Sequence, residues 1–80
     1  MESLFQKLPL EHQVPILMQL IVSELRLARH RQWISQAELA EGCGFPQSVI
    51  ARIESGKSNP TLKTLLTIVA ALGVTIEIHG

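Results

Sequence analysis

The sequence predicts one all-helical domain of four to five helices, followed by a single short β-strand at the C-terminus. Three observations carry that reading. Apolar residues recur at intervals of three and four through most of the chain, the period of a helix with one buried face. Ser, Thr or Pro precedes three of the apolar runs and Gly follows them, which are start and stop signals for helices. Past Gly73 the period changes to two.

Residues 1–15 read as an N-terminal arm, in which Ser3 caps a short turn carrying Leu4, Phe5 and Leu8 and Pro9 ends it. Pro15 suits the first position of a helix, where the missing N–H costs nothing. That helix runs to about Arg31, with Leu17, Leu20, Ile21, Leu25 and Ala28 on one stripe. Between Ile16 and Val22 every residue but Gln19 is apolar, so the helix needs cover nearly all round. The arm folding back through Phe5 and Leu8, a second copy or a partner protein would supply it. Trp33 is expected to pack at the corner that follows.

Ser35 reads as an N-cap, and Glu38 three residues later completes a capping box. This helix is short, closing at Gly42 or Cys43, and Gly44 supplies a tight turn with positive φ. Pro46 starts the next helix, with Val49, Ile50 and Ile53 apolar, and Gly56 stops it. After the loop of residues 57–60, Thr61 caps a last helix whose stripe is Leu62, Leu65, Leu66, Val69 and Leu72. The main domain is therefore residues 16–73. Residues 74–80 follow as a strand in which Val74, Ile76 and Ile78 alternate with polar side chains.

Composition excludes several classes of function. Eighty residues make one domain, and 46% hydrophobic with 18% charged residues argues against disorder. Cys43 is the only cysteine, so no intrachain disulfide forms and a reducing cytoplasm is the expected compartment. The apolar runs fall short of the ~20 residues that span a bilayer, and the N-terminus lacks the pattern of a signal peptide. His12, His30, His79 and Cys43 lack zinc-site spacing, and neither Ser35 nor Ser48 belongs to a His–acid arrangement. No metal, cofactor or catalytic residue is expected. The formal net charge is zero, so any binding to nucleic acid requires the cations to gather on one face.

Residues 36–53 carry the central motif. Two short helices cross closely where a small residue, Ala40, lies between them. Gly44 makes the turn, while Ile50 and Ile53 lock the second helix onto the first, with Leu39 and Phe45 adding core. The run Ser35-Gln36-Ala37-Glu38-Leu39-Ala40, then Gly44, then Gln47 to Pro60, resembles the Xre/Cro/phage-repressor helix-turn-helix family, from about Glu24 to Gly73. The resemblance implies a dimer on a palindromic operator in double-stranded DNA, with the second motif helix in the major groove.

Gln47, Ser48 and Arg52 match the family's base-contacting positions. Gln pairs bidentately with adenine and Arg with guanine. Val49 is placed to touch a thymine methyl. Gln36 matches a phosphate contact at a helix N-terminus, and Lys57 and Asn59 lie where they would grip phosphate. Arg29 and Glu54 match an internal ion pair joining the first helix to the third. One departure stands at position 46, commonly Ser or Thr in the family and here Pro, so the cap hydrogen bond is lost.

A lone strand leaves its backbone groups without partners, and the same strand of a second copy supplies them across a two-fold axis. Val74, Ile76 and Ile78 are thus expected to dimerise the chain, with Val74 and Ile78 facing the core. This strand resembles the antitoxin subunits of HipA-type kinase toxin systems, with HigA-type antitoxins the neighbouring option. The implied function is a transcriptional repressor that is the antitoxin of a toxin–antitoxin operon, with a cognate toxin as partner. The alternatives are a module that mainly holds a toxin or kinase, and a phage or restriction-control repressor without a toxin.

Overall fold

The computed structural model describes residues 3–79; Met1, Glu2 and Gly80, at the ends of the expected arm and tail, lie outside the described residues. A 3-10 turn, Phe5–Lys7, precedes four α-helices: α1 Leu10–Arg31, α2 Gln36–Cys43, α3 Gln47–Glu54 and α4 Leu62–Leu72. Helix α2 packs on α3 and α4, and α1 packs on the same two. Between them lies an aliphatic core of Val22, Leu39, Ala40, Ile50, Ile53, Ile68 and Leu72.

Local chemistry explains the helix starts. Ser35 Oγ accepts the N–H of Glu38 at 3.0 Å, and Glu38 Oε1 accepts the N–H of Ser35 at 3.1 Å, so two otherwise unpaired donors are satisfied reciprocally. Thr61 Oγ1 accepts the N–H of Thr64. Ser3 and Gln6 exchange the same pair of bonds around the 3-10 turn.

All four helices end in one geometry. The N–H two or three residues beyond the helix reaches back to the carbonyl five residues earlier, as in Phe45 to Ala40 and Lys57 to Arg52. That closure needs a left-handed residue. Gly44, Gly56 and Gly73 supply it after α2, α3 and α4, but after α1 the residue is Trp33, with φ 58°. An L side chain there costs about 1–2 kcal/mol. Trp33 is also 92% exposed, so the expected packing at the corner does not occur and no contact compensates the strain.

Three further expectations need correction. Helix α1 begins at Leu10 rather than at Pro15, which sits inside it and removes the bond to the Glu11 carbonyl. The buried line of α1 is Met18, Val22, Leu25, Ala28 and Arg29, while Leu17, Leu20 and Ile21 are exposed. On α4 it is Leu65, Ile68, Val69 and Leu72 that are buried, with Leu62 and Leu66 exposed.

The C-terminal strand is absent among the described residues. A strand exists by pairing, and no second extended segment is there to pair with residues 74–79. Val74 packs against the core, but Ile78 is 90% exposed rather than facing it.

Replacing Trp33 by Gly should relieve the left-handed strain without losing a contact. The expected result is a stabilisation of roughly 0.5–1 kcal/mol after the added entropy of the unfolded chain is subtracted. Urea titration of Trp33→Gly, followed by far-UV circular dichroism, measures it. Unchanged or lowered stability would show that the indole makes a stabilising contact.

Candidate nucleic-acid interface

Helix α3 has two unlike sides. Ile50 and Ile53 are buried and Val49 is half-buried against the core. At 100° per residue, Gln47, Ala51, Ser55, Ser48 and Arg52 fall together on the opposite side, with Gln47, Ser48 and Arg52 exposed. Ala51 and Ser55 are small and lie between Gln47 and Arg52, so nothing bulky stands between those two side chains. Val49 lies at the edge of this face, half-buried, with part of its side chain used in packing.

The loop after α3 continues the exposed surface. Arg52 Nη2 donates to the Lys57 carbonyl at 3.3 Å, which holds the arginine toward the loop while the Lys57 and Asn59 side chains stay exposed. Gly44, at φ 74°, sets the turn that aims α3. No atom lies within 4 Å of a Cβ placed there, so conformation rather than space demands the glycine.

The orientation of α3 is fixed from behind by one ion pair. Arg29 Nε donates to Glu54 Oε2 at 2.7 Å and Nη2 to Oε1 at 2.8 Å, a bidentate pair whose side chains are almost wholly buried. Nη1 donates to the Ile34 carbonyl at 2.8 Å, which pins the α1–α2 turn to the same guanidinium. Gln36 Nε2 donates to Glu54 Oε1 at 3.1 Å. Gln36 therefore braces the ion pair with its side-chain amide.

Burial pushes the Glu54 carboxyl up. The hydrogen bonds from Arg29 and Gln36, with the charges of Arg29 and Arg26, outweigh that and leave it below the usual carboxylate range. The bonds to Glu54 hold the Arg29 guanidinium above its ordinary value against its own desolvation.

Two side chains that sequence reasoning left unassigned border this centre. Arg26 and His30, one turn apart on α1, line a polar cleft of about 270 Å³ with Gln36, Ala51 and Ser55. The cleft opens beside the exposed face of α3. Their spacing of four residues was the only signal in the sequence. Cys43 is half-buried, and desolvation raises its thiol, so it serves as core. Among the described residues no group of three or more His, Cys, Asp or Glu is placed to hold a metal, and no helix is long and apolar enough to cross a membrane.

A family model described as Helix-turn-helix matches residues 25–78. The chain is 45% identical over 58 residues to an uncharacterized HTH-type transcriptional regulator of Haemophilus influenzae, covering 72% of this chain and 59% of that protein. Two uncharacterized HTH-type transcriptional regulators of Sinorhizobium fredii are also similar. One, y4dL, is 41% identical over 56 residues, covering 70% of this chain and 29% of its own length. The other, y4dJ, is 34% identical over 55 residues, covering 69% and 71%. The chain thus spans less than two thirds of the first two relatives. No solved structure matches it.

Removing one partner of the ion pair strands a buried charge. Glu54→Gln should cost about 3 kcal/mol at neutral pH. A depressed carboxylate stabilises the fold above its unfolded pKa, about 4.3, and that contribution is lost as pH falls through the lower folded value. The gap between wild type and Glu54→Gln should therefore close in acid, which thermal melts across pH 2–7 would measure. A gap independent of pH would show that the Glu54 charge contributes nothing.

Proposed function

The chain belongs to the helix-turn-helix family, and from that premise we propose that it is a sequence-specific DNA-binding transcriptional repressor. One observation carries the reading. Gln47, Ser48 and Arg52 stand open on a single face of a helix whose opposite face is buried and whose end is anchored by Arg29 and Glu54. An α-helix fits the major groove, and Gln and Arg have the paired donors and acceptors that distinguish adenine and guanine there. That the relatives in two bacteria carry the name transcriptional regulator supports the same reading.

In this reading α3 lies in the major groove, Arg52 and Gln47 read base edges, and Lys57 and Asn59 hold phosphates past the end of the helix. The operator is palindromic and the protein binds it as a dimer in the cytoplasm, with recognition helices in grooves about 34 Å apart. The finer proposal is an autoregulating antitoxin of a HipA-type kinase operon. It rests on the resemblance of the alternating segment 74–79, whose first residues, Val74 to Ile76, lie beside α1. A second reading, a module that mainly holds a toxin or kinase, draws on the net charge of zero. A phage or restriction-control repressor shares the site and lacks only the toxin.

Salt separates the DNA-binding reading from the protein-holding one. Each phosphate neutralised contributes roughly −0.9 to the slope of log affinity against log salt. Lys57→Ala should weaken binding to all sequences and reduce that slope by about one, while leaving in place the carbonyl that Arg52 uses. Arg52→Ala should instead relax specificity at one base pair per half-site, by about 1–3 kcal/mol. Affinity selection of operators from random duplexes, followed by titration in varied salt, reads both. No preference for any duplex, with a flat salt response, would refute the DNA-binding reading.

A further inference from the structure

Helix α1 is longer than the body that supports it. From Leu10 to Leu17 every residue but Gln13 is exposed, although Leu10, Val14, Ile16 and Leu17 are apolar. The 3-10 turn is tied to α1 where Gln13 Nε2 donates to the Leu8 carbonyl at 2.6 Å, yet it leaves these apolar side chains exposed. Leu10, Val14, Leu17 and Ile21 follow one another at intervals of four, three and four, the spacing of a seam that packs against another helix. Leu10 is 73% exposed and Leu20, beside the seam, 58%. The seam lies next to the buried line of α1 and is distinct from it.

Toward its C-terminal end the seam runs into a groove of about 380 Å³ between α1 and the tail. Leu20, Ile21, Leu25 and Ala28 form one wall, Val74 to Ile76 the other, and Glu24 and Arg31 stand at the rim. The tail wall is unfinished. Among the described residues, the backbone of residues 75–79 makes no hydrogen bond to the rest of the chain.

We propose that a second copy of this chain covers this face, with α1 packed against α1 across a two-fold axis and each tail closing the other's groove. The inference rests on the dimeric reading above and extends that interface from the tail to α1. Three features single out a second copy as the occupant.

The first is area. Leu10, Val14, Leu17, Leu20, Ile21 and Ile76 are each between 43% and 73% exposed, and together they make a patch at the upper end of the roughly 300–600 Å² that a monomer's largest apolar patch covers. A standard interface buries about 800 Å² per partner. The tail backbone and the rim residues make up the difference. The second is self-complementarity: one chain carries both an open apolar groove and, two residues past the groove's Ile76, an exposed apolar Ile78 that a two-fold axis can bring to the partner's groove. The third is charge. Glu24 and Arg31, two turns apart on one side of α1, let the acid of one copy meet the base of the other.

The test uses the full chain. Leu17→Glu and Ile21→Glu alter exposed positions, and Leu10→Glu alters the projecting end where no fold contact is at stake. Sedimentation equilibrium should show a wild-type dimer at micromolar concentration and a dimer dissociation constant raised roughly a hundredfold in each variant, at unchanged far-UV circular dichroism. Dimers of wild-type affinity in all three variants would overturn the proposal. If truncation after Val74 dissociates the dimer while those variants hold it, the tail alone joins the copies and the α1 seam plays no part. A monomeric wild type would sink the α1 interface and the dimeric reading together. So would capture of a different protein by a wild type that stays monomeric.

Discussion

The architecture turns on one guanidinium. Arg29 emerges from α1 and donates to Glu54 at the end of α3 and to the carbonyl of Ile34 in the turn before α2, while Gln36 of α2 completes the carboxylate. Three helices and a turn thereby share one set of directional bonds. Apolar packing alone holds helices together without fixing their rotation, since greasy surfaces slide at little cost. Planar bidentate bonds do not slide. Buried ion pairs are often no more stabilising than an apolar substitute. What this one supplies is registration: it sets the rotation of α3, and so the direction in which Gln47, Ser48 and Arg52 face.

The same centre bears on the net charge of zero. Glu54 spends its charge inside the protein, and Glu38 is engaged by Ser35, whose N–H and hydroxyl hold its carboxyl below the usual range. Around the open face of α3 stand Arg52 and Lys57, with Arg26 across the cleft. Phosphates respond to charge within about 10 Å at ordinary salt. The local sign at that face therefore matters more than the sum over the chain. Neutrality is a weak argument against nucleic-acid binding once acids are assigned to structural tasks.

Some of this was legible in the residues and some was not, for definable reasons. The caps at Ser35 and Thr61 and the turn at Gly44 were readable because each depends on chemistry within a few residues. Arg29 with Glu54 was readable only through family resemblance, since 25 positions separate them and periodicity does not pair charges. The buried lines of α1 and α4 were misphased. Where apolar residues occupy most of a helix circumference, the period has no phase, and the neighbours alone decide that Val22 and Ile68 go inside. The packing share of Val49 was hard to read for a related reason, because it sits at the edge between the packed and open sides of α3. Trp33 broke a local rule that Gly obeys at the other three helix ends, and no sequence argument anticipates a left-handed tryptophan.

Stability connects these features. A chain of this length buries about 60–65% of its unfolded surface, and its margin is small. It nonetheless leaves two turns of α1 unsupported, places Pro15 within that helix, and keeps Trp33 in a strained conformation. An isolated amphipathic extension of this kind is marginal in water, because helix formation without packing scarcely offsets the entropy of ordering. The body holds the C-terminal half of α1 through Val22, Leu25 and Arg29, and the N-terminal half has no such anchor. Covering the seam would stabilise both halves at once. Through Arg29 and Glu54, firmer seating of α1 would reach α3, so the proposed association of two copies would also bear on the direction in which α3 faces.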